Sequence, residues 1–212
     1  MPEPVGEIAP VDYGYRTAVS VHPEVDRYLI PGVLQALADI PKGSAVLDLG
    51  CGNGATTAVL AQNGWNMWGV DMSESGIRHA QQAHPQIRFY CFDAHKDLSF
   101  LDRTFDAIVS TEVIEHVYDP DLVIANCWQA LGPHGKLILT TPYHGWLKNV
   151  VVAASGHYDA HHSALWRGGH IKFWSPATIS CLLERNRFNQ IEWCGVGRIP
   201  WLWKSMVVTA RK

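Results

Sequence analysis

The chain has no C-x-x-C pair and an odd number of cysteines, five in all: Cys51, Cys91, Cys127, Cys181 and Cys194. That argues against a disulfide framework and a zinc ribbon and fits buried, reduced thiols, for which the cytoplasm is the expected setting. An excess of either charge is also missing, since 17 Lys and Arg stand against 20 Asp and Glu for a formal net charge of -3. With no basic stripe to meet a phosphate backbone, nucleic acid is not an expected partner. The longest apolar stretch, Val150 to Ala154 behind Trp146 and Leu147, falls far short of the ~20 residues of a membrane span. The opening MPEPVGEIAPVDYGYR places acids and prolines where an export signal needs basic residues and an apolar run, so no export is expected. Charged residues are only 17% of the 212 and apolar ones 47%, which excludes a disordered or fibrous chain and leaves material for one large core. What is plentiful is tryptophan and histidine, nine and 11 residues. Trp146, Trp166, Trp174, Trp193, Trp201 and Trp203 lie after residue 140, and His144, His157, His161, His162 and His170 fall between 143 and 170.

Along the chain, apolar residues at helical spacing predict a kinked or split helix over 25–39, interrupted by Pro31-Gly32. From Ser44 the pattern becomes strand (AVLDLG), helix (55–63, closed by Gly64) and strand (WNMWGV, ending in Asp71), a β-α-β unit. It continues with helix 74–83, strands 87–92 and 105–110, helix 121–131 ended by Gly132-Pro133, and strand 135–141. Alternating strands and helices predict a parallel sheet covered on both faces. The stretch 143–170 has no regular period and is read as a cap. Ser175-Pro176 then opens a helix to about Arg187, and strands near 188–195 and 202–210 around Gly197 and Pro200 form an antiparallel hairpin. One domain is expected: a helical preface (1–43), a cofactor-binding half (44–142), the cap (143–170), and a final helix and hairpin (171–212).

Asp48-Leu-Gly50-Cys51-Gly52-Asn-Gly54 leaves a strand and enters a helix, where glycines let backbone N–H groups approach a ligand and the helix N-terminus faces it. Gly50, Gly52 and Ala55 also satisfy the dinucleotide pattern G-x-G-x-x-G/A, so the loop alone leaves a dehydrogenase open. Asp71 fits either reading. Asp48, inside the turn, suits an ammonium better than a pyrophosphate, and the terminal hairpin is foreign to most dehydrogenases. A second constellation, Glu112-Val-Ile-Glu115-His116, sits just past the strand 105–110. Two carboxylates and an imidazole this close can converge on a divalent ion, and oxygen-rich ligands favour a hard cation such as Mg²⁺.

In these residues the sequence resembles the class I S-adenosylmethionine-dependent methyltransferases. VLDLGCGNG, GVDMS, FDA (92–94) and FDAIVSTEVIEHV are similar to that family's first four motifs and stand in its order, and the resemblance covers about residues 25–212. It implies an α/β, Rossmann-like, seven-stranded and mostly parallel sheet with a C-terminal antiparallel hairpin and helices on both faces. The cofactor would be S-adenosylmethionine, held at Asp48, Gly50, Cys51 and Gly52, with Asp71 on both ribose hydroxyls and Met72 on the adenine face. Asp93 and Ala94 would meet the adenine amino group, Thr111 the methionine moiety, and Arg27, with Tyr15 and Arg16, would close over the cofactor carboxylate.

Within that family the E-x-x-E-H run is most similar to the ubiquinone-biosynthesis O-methyltransferases, whose later histidine before a helix start is matched by Gly169-His170-Ile-Lys-Phe173-Trp-Ser175-Pro176. The resemblance implies the metal ligands Glu112, Glu115, His116 and His170. Relatives without metal keep a Glu-His pair at this place, and His116 as a plain general base is the other reading. His116, Glu115 and His144 are the candidate catalytic groups. A phenol with pKa about 10 is mostly protonated at neutral pH, so metal coordination or a nearby imidazole would serve an O-acceptor. An amine would need only a base, which leaves an N-methyltransferase of a planar heteroaromatic amine open, and beside it a non-catalytic S-adenosylmethionine-binding module. Tyr143, Trp146, Tyr158 and Trp166 are the expected walls of a flat pocket for a small aromatic substrate, a phenol, catechol or quinone precursor. By the same resemblance the cap can touch a membrane surface.

Overall fold

The computed structural model describes residues 14–18, 23–156, 158–162, 165 and 168–212. Seven strands form one sheet: β1 (Ala45–Leu49), β2 (Asn66–Asp71), β3 (Arg88–Cys91), β4 (Phe105–Thr111), β5 (Leu131–Pro142), β6 (Asn189–Val196) and β7 (Ser205–Arg211), in the order β3-β2-β1-β4-β5-β7-β6. β1 to β5 pair in parallel, and β7 runs antiparallel to both β5 and β6. The central β1 is buried along its whole length, as an apolar run covered on both faces must be.

Successive residues of each strand feed opposite faces. Val46, Val109, Ile138 and Val207 meet α1 (Pro23–Ala36), α2 (Ala55–Gln62) and α3 (Glu74–Ala83) through Val33, Leu60 and Ala80, with Leu37 just past α1. Leu47, Ile108, Leu137 and Val208 meet α4 (Pro120–Ala130) and α7 (Pro176–Arg185) through Ile124, Cys127, Ile179 and Leu183. Helix starts follow the expected chemistry. Ser73 Oγ accepts from Gly76 N at 3.1 Å, Asp119 Oδ1 from Leu122 N at 3.1 Å, and Ser175 and Thr178 form a reciprocal capping box.

Three expectations change. The helix expected over 25–39 is one element, Pro23–Ala36, with Pro31 inside it, and Gly32 lets it approach β7 so closely that a Cβ there would lie 2.9 Å from Val207. β5 begins at Leu131 rather than 135, because Leu131 already pairs with Phe105 before the register shifts to Lys136–Ala107. The cap contains α5 (Trp146–Ala154) and α6 (Tyr158–His162). No apolar period announced α5, because its one fully buried side chain is a lysine, Lys148, while Trp146 is 74% exposed and Val150 and Val151 also face outward. No helix among the described residues is long and apolar enough to cross a membrane.

Candidate active site

The turn leaving β1 is held from behind by β2, whose Val70 carbonyl accepts from Gly50 N at 2.7 Å and Cys51 N at 3.1 Å. Gly50 has φ 83, and a Cβ on it would lie 2.3 Å from a methyl of Val113, so only glycine passes here. Asp71, ending β2, reaches back to the turn: its Oδ2 accepts from Gly52 N at 2.8 Å and its Oδ1 from Ser73 N at 2.7 Å. Asp48 is fully buried; Oδ2 accepts from the Thr57 hydroxyl at 2.6 Å, while Oδ1 has no hydrogen-bond partner among the described residues. Burial, against the Thr57 hydroxyl and with the Asp71 charge adding to it, raises its pKa to about 7. Burial first, then Asp48 and Asp71, pushes the Cys51 thiol well above its ordinary range, which makes it an inert lining group.

The segment 14–18 lies over this turn. Tyr15 N donates to Ser75 Oγ at 3.0 Å, Asn53 Nδ2 donates to Thr17 O at 2.8 Å, and the Tyr15 hydroxyl stands against Gly52. Tyr15 therefore lies against the glycine turn. Arg27 lies exposed on α1, which packs on β5, β6 and β7, and no described contact brings it to the turn.

On the other rim of the cleft, Met72 is partly exposed and its carbonyl accepts from Cys91 Sγ at 3.6 Å. Asp93 Oδ1 accepts from His95 N at 2.9 Å and contacts His95 Nδ1 at 2.8 Å. Burial opposes its charge, but these His95 contacts and Lys96 hold the carboxyl below the usual carboxylate range. Ala94 is fixed from α4, where Asn126 Nδ2 donates to the carbonyls of Ala94 and Lys96, both at 3.0 Å. Sequence reasoning missed Asn126. The signal was a polar residue between Ile124 and Cys127 on the buried side of a helix, where an unpaired amide is costly.

Thr111 closes β4 opposite Thr140, and the chain turns sharply at Glu112, whose φ is 53. Glu112 N donates to both the carbonyl and the hydroxyl of Thr140, and its carboxylate accepts from the hydroxyls of Thr140 at 3.0 Å and Ser205 at 3.4 Å. Burial raises its pKa to about 7 against those hydroxyls and Lys148. A short 3-10 turn, Ile114–His116, then carries Glu115, which is 1% exposed with neither carboxylate oxygen hydrogen-bonded among the described residues. Burial, then the neighbouring Glu112, pushes it well above the ordinary range. His116 Nδ1 lies 3.3 Å from the Gly169 carbonyl and Nε2 4.0 Å from Glu115 Oε1; burial lowers its pKa against that carbonyl.

His170 arrives because the returning chain is laced onto this turn. Ile171 N and Lys172 N donate to the Glu115 carbonyl at 2.9 and 3.0 Å, and Trp174 Nε1 donates to Ile114 O at 3.3 Å. The His116 and His170 rings stand 4.9 Å apart, and burial, then His116 and the cap imidazoles, lower His170 to about 4. One donor atom each from Glu115, His116 and His170 lies within 4.8 Å of the others. Glu112 does not join that group. Of the four residues expected to gather, three do so, and the Glu112 carboxylate is turned to the hydroxyls of Thr140 on β5 and Ser205 on β7.

On the cap side, Lys148 is 5% exposed and its Nζ donates to the carbonyls of Tyr143 at 2.8 Å and Lys204 at 3.1 Å. Burial and Arg198 lower its pKa to about 8, with Glu112 opposing. It too was missed, although a charge in the middle of the apolar run WLKNVVVAA was the signal. His144 is buried, and burial, then Lys148, lowers it to about 4. Tyr143 is a correction: it is a core residue, edge-on to Trp203 at 5.2 Å and stacked with Trp193 at 6.1 Å, not an open pocket wall. Part of the tryptophan excess is thus packing within the hairpin, where Trp203 lies over Gly195 so closely that a Cβ there would come within 2.0 Å. Trp146 and Tyr158 are exposed, the latter 4.3 Å from the His162 ring. Trp166 and His157 lie outside the described residues.

Residues 21–192, most of the chain, match the family model described as a methyltransferase domain. The chain belongs to this methyltransferase-domain family. It is 41% identical over 107 residues to the ubiquinone biosynthesis O-methyltransferase of Coxiella burnetii, covering 47% of this chain and 44% of that protein. To the mitochondrial ubiquinone biosynthesis O-methyltransferase of Homo sapiens it is 31% identical over 153 residues, 68% of this chain and 41% of that one. The chain thus spans less than half the length of these relatives. Among solved structures, the magnesium protoporphyrin IX methyltransferase of Synechocystis PCC 6803 with bound SAH superposes with TM-score 0.61 at 22% identity, covering 87% of this chain and 80% of that one. The Haemonchus contortus phosphoethanolamine N-methyltransferase 2 with S-adenosylmethionine gives 0.61 at 16% identity, with 86% and 51% covered. At these identities the family's methyltransferase fold is what is shared.

Proposed function

We propose that the chain transfers a methyl group from S-adenosylmethionine to the hydroxyl of a small aromatic acceptor such as a phenol, catechol or quinone precursor. The observation that carries this reading is the Glu115, His116 and His170 group, set just past β4 beside the glycine turn. The cofactor-side residues fit that ligand. Asp48 keeps a buried oxygen without a partner among the described residues, Gly50 and Gly52 take positive φ in the turn after β1, and Asp71 at the end of β2 and Asp93 just past β3 leave adjacent strands where ribose and adenine would lie. When bound, S-adenosylmethionine supplies an electrophilic methyl for in-line displacement. The chain's own task is to hold the acceptor oxygen in line and to take its proton. His116 suits this: its depressed pKa keeps it neutral at pH 7, and with Nδ1–H turned to the Gly169 carbonyl its Nε2 is the accepting nitrogen.

A divalent cation fits the same trio, since Glu115 has two unsatisfied buried oxygens and both imidazoles are neutral at pH 7. With Glu112 engaged elsewhere, two imidazoles and one carboxylate suit a borderline metal such as Zn²⁺ or Fe²⁺ better than Mg²⁺. Such an ion would stabilise the acceptor's deprotonated oxygen. In this reading 44–142 is the cofactor half and 143–170 the cap, and exposed Trp146, Val150 and Val151 are the surface for peripheral membrane contact. Calorimetric titration with S-adenosylhomocysteine, followed by transfer of labelled methyl to a panel of catechols and heteroaromatic amines with and without EDTA, tests the proposal. Tight NAD binding with no response to S-adenosylhomocysteine would sink it, and turnover of amines alone would move it to the N-methyl reading.

A further inference from the structure

The turn just past β3 is pinned from two sides. Lys96 N donates to the Asp93 carbonyl at 2.9 Å, and Asn126 Nδ2, from α4, donates to the carbonyls of Ala94 and Lys96, both at 3.0 Å. His95 stands between those two carbonyls in the chain, and its ring meets Asp93: Nδ1 lies 2.8 Å from Asp93 Oδ1, the oxygen that also accepts from His95 N at 2.9 Å. The backbone contact, an Asx turn, is open to any residue but proline at 95, whereas the ring contact needs a side chain with a donor in that place. A carboxylate held ionised only accepts, so Nδ1 is the donor. The other ring nitrogen, Nε2, is buried without a hydrogen-bond partner among the described residues. An unmatched buried nitrogen costs stability, so strengthening the fold is a poor account of the ring, whose one polar side-chain contact among the described residues is Asp93. Both donors meet the same oxygen. Asp93 Oδ2 has no hydrogen-bond partner among the described residues, and the side chain is 35% exposed. The torsion that turns a carboxylate is soft, and two donors on Oδ1 fix it, which gives Oδ2 a set place. An N–H group against that oxygen gains a charge-assisted hydrogen bond, and a carbon-bound hydrogen there gains none.

We propose that His95 is a positioning residue for cofactor selection: its imidazole fixes the Asp93 carboxylate so that Oδ2 selects a purine bearing an exocyclic amino group over one without it. The inference rests on the methyl-transfer reading, which puts the adenine of S-adenosylmethionine beside Asp93, and it assigns the selectivity to a side chain that acts through Asp93.

The test is calorimetric titration of the full chain with S-adenosylhomocysteine and with its deamino analogue, in which hydrogen replaces the adenine amino group. The wild type should bind the first at least about 10-fold more tightly, about 1.4 kcal/mol. That ratio should fall below about 3-fold in His95→Ala and return to at least about 5-fold in His95→Asn, whose side-chain amide nitrogen can take the place of Nδ1. In an Asp93→Ala background, where the ratio is already lost, His95→Ala should change it no further. A merely structural role would weaken both ligands alike and leave the ratio unmoved, and because the ratio is taken within each variant, any loss of folded protein cancels. A ratio that survives His95→Ala, one that His95→Asn fails to restore, or a wild type indifferent to the amino group would overturn the proposal. Absence of S-adenosylhomocysteine binding in the wild type counts against the methyl-transfer reading itself, whereas an intact complex whose ratio ignores His95 counts against this inference alone.

Discussion

The two rims of the cleft are held together in different ways. On the cofactor rim the acids bind backbone amides in adjoining turns, as Asp71 does with Gly52 and Ser73 and Asp93 with His95. On the acceptor rim the partners come from across the chain: Glu112 with Ser205, His116 with Gly169, Trp174 with Ile114, and Lys148 with Lys204. The first rim is built by short loops between neighbouring strands. The second exists only once the chain has passed through the cap and returned, so it depends on the whole fold.

The sharpest way to break this contrast is where Gly50 meets Val113. Gly50→Val puts side-chain atoms into Val113, on the turn that carries Glu115, at a positive φ. We expect a loss of about 3 kcal/mol or more in thermal unfolding and abolished S-adenosylhomocysteine binding; a stable, binding variant would show the rims to be independent. Next in size, Glu115→Gln and His170→Ala should each lower kcat by about 10²-fold or more with cofactor affinity unchanged. If metal takes part, EDTA should mimic both, with Zn²⁺ or Fe²⁺ restoring the native enzyme, while Glu112→Gln should leave metal affinity nearly intact. Full turnover in EDTA would leave His116 as the base.

One group on each rim, Asp48 and His170, should also respond to pH with opposite signs. Asp48 is raised from 3.8 to about 7, so the folded state keeps its proton while the unfolded state ionises, and stability drains away as pH climbs from about 4 to 7. Asp48→Asn should therefore gain on the wild type across that window and run level with it in slope above it. His170 is lowered from 6.5 to about 4, so stability falls as pH drops from 6.5 toward 4, and His170→Gln should lose less in acid. Unfolding midpoints from pH 4 to 8 check both signs. Smaller still, Asn126→Ala removes two hydrogen bonds to the Ala94–Lys96 turn and should weaken S-adenosylhomocysteine about 5- to 30-fold. Arg27→Ala should leave that affinity unchanged, and a measurable loss would restore Arg27 to the site.

Legibility divides along the same line. The glycine turn, the acids at the end of β2 and just past β3, the Ser175 cap and the parallel sheet with its terminal hairpin could be read because each is a local pattern whose meaning is settled within a few residues. Asn126 and Lys148 escaped because each is a polar residue in an apolar context, and only its distant partners say what it holds. Tyr143 was misleading for the same reason: an aromatic side chain looks alike in sequence whether it lines a pocket or fills a core.

By itself, then, the amino-acid order determined the strand and helix alternation, the cofactor turn and the identity of the acid and imidazole groups, since backbone preference and hydrophobic period act over a turn or two. The tertiary structure decided which of those groups meet. It turned Glu112 toward β5 and β7, brought His170 to His116 from far along the chain, and buried an ammonium beneath the cap. Those are contacts between residues far apart in the chain, fixed by sheet order and packing, and no local preference encodes them.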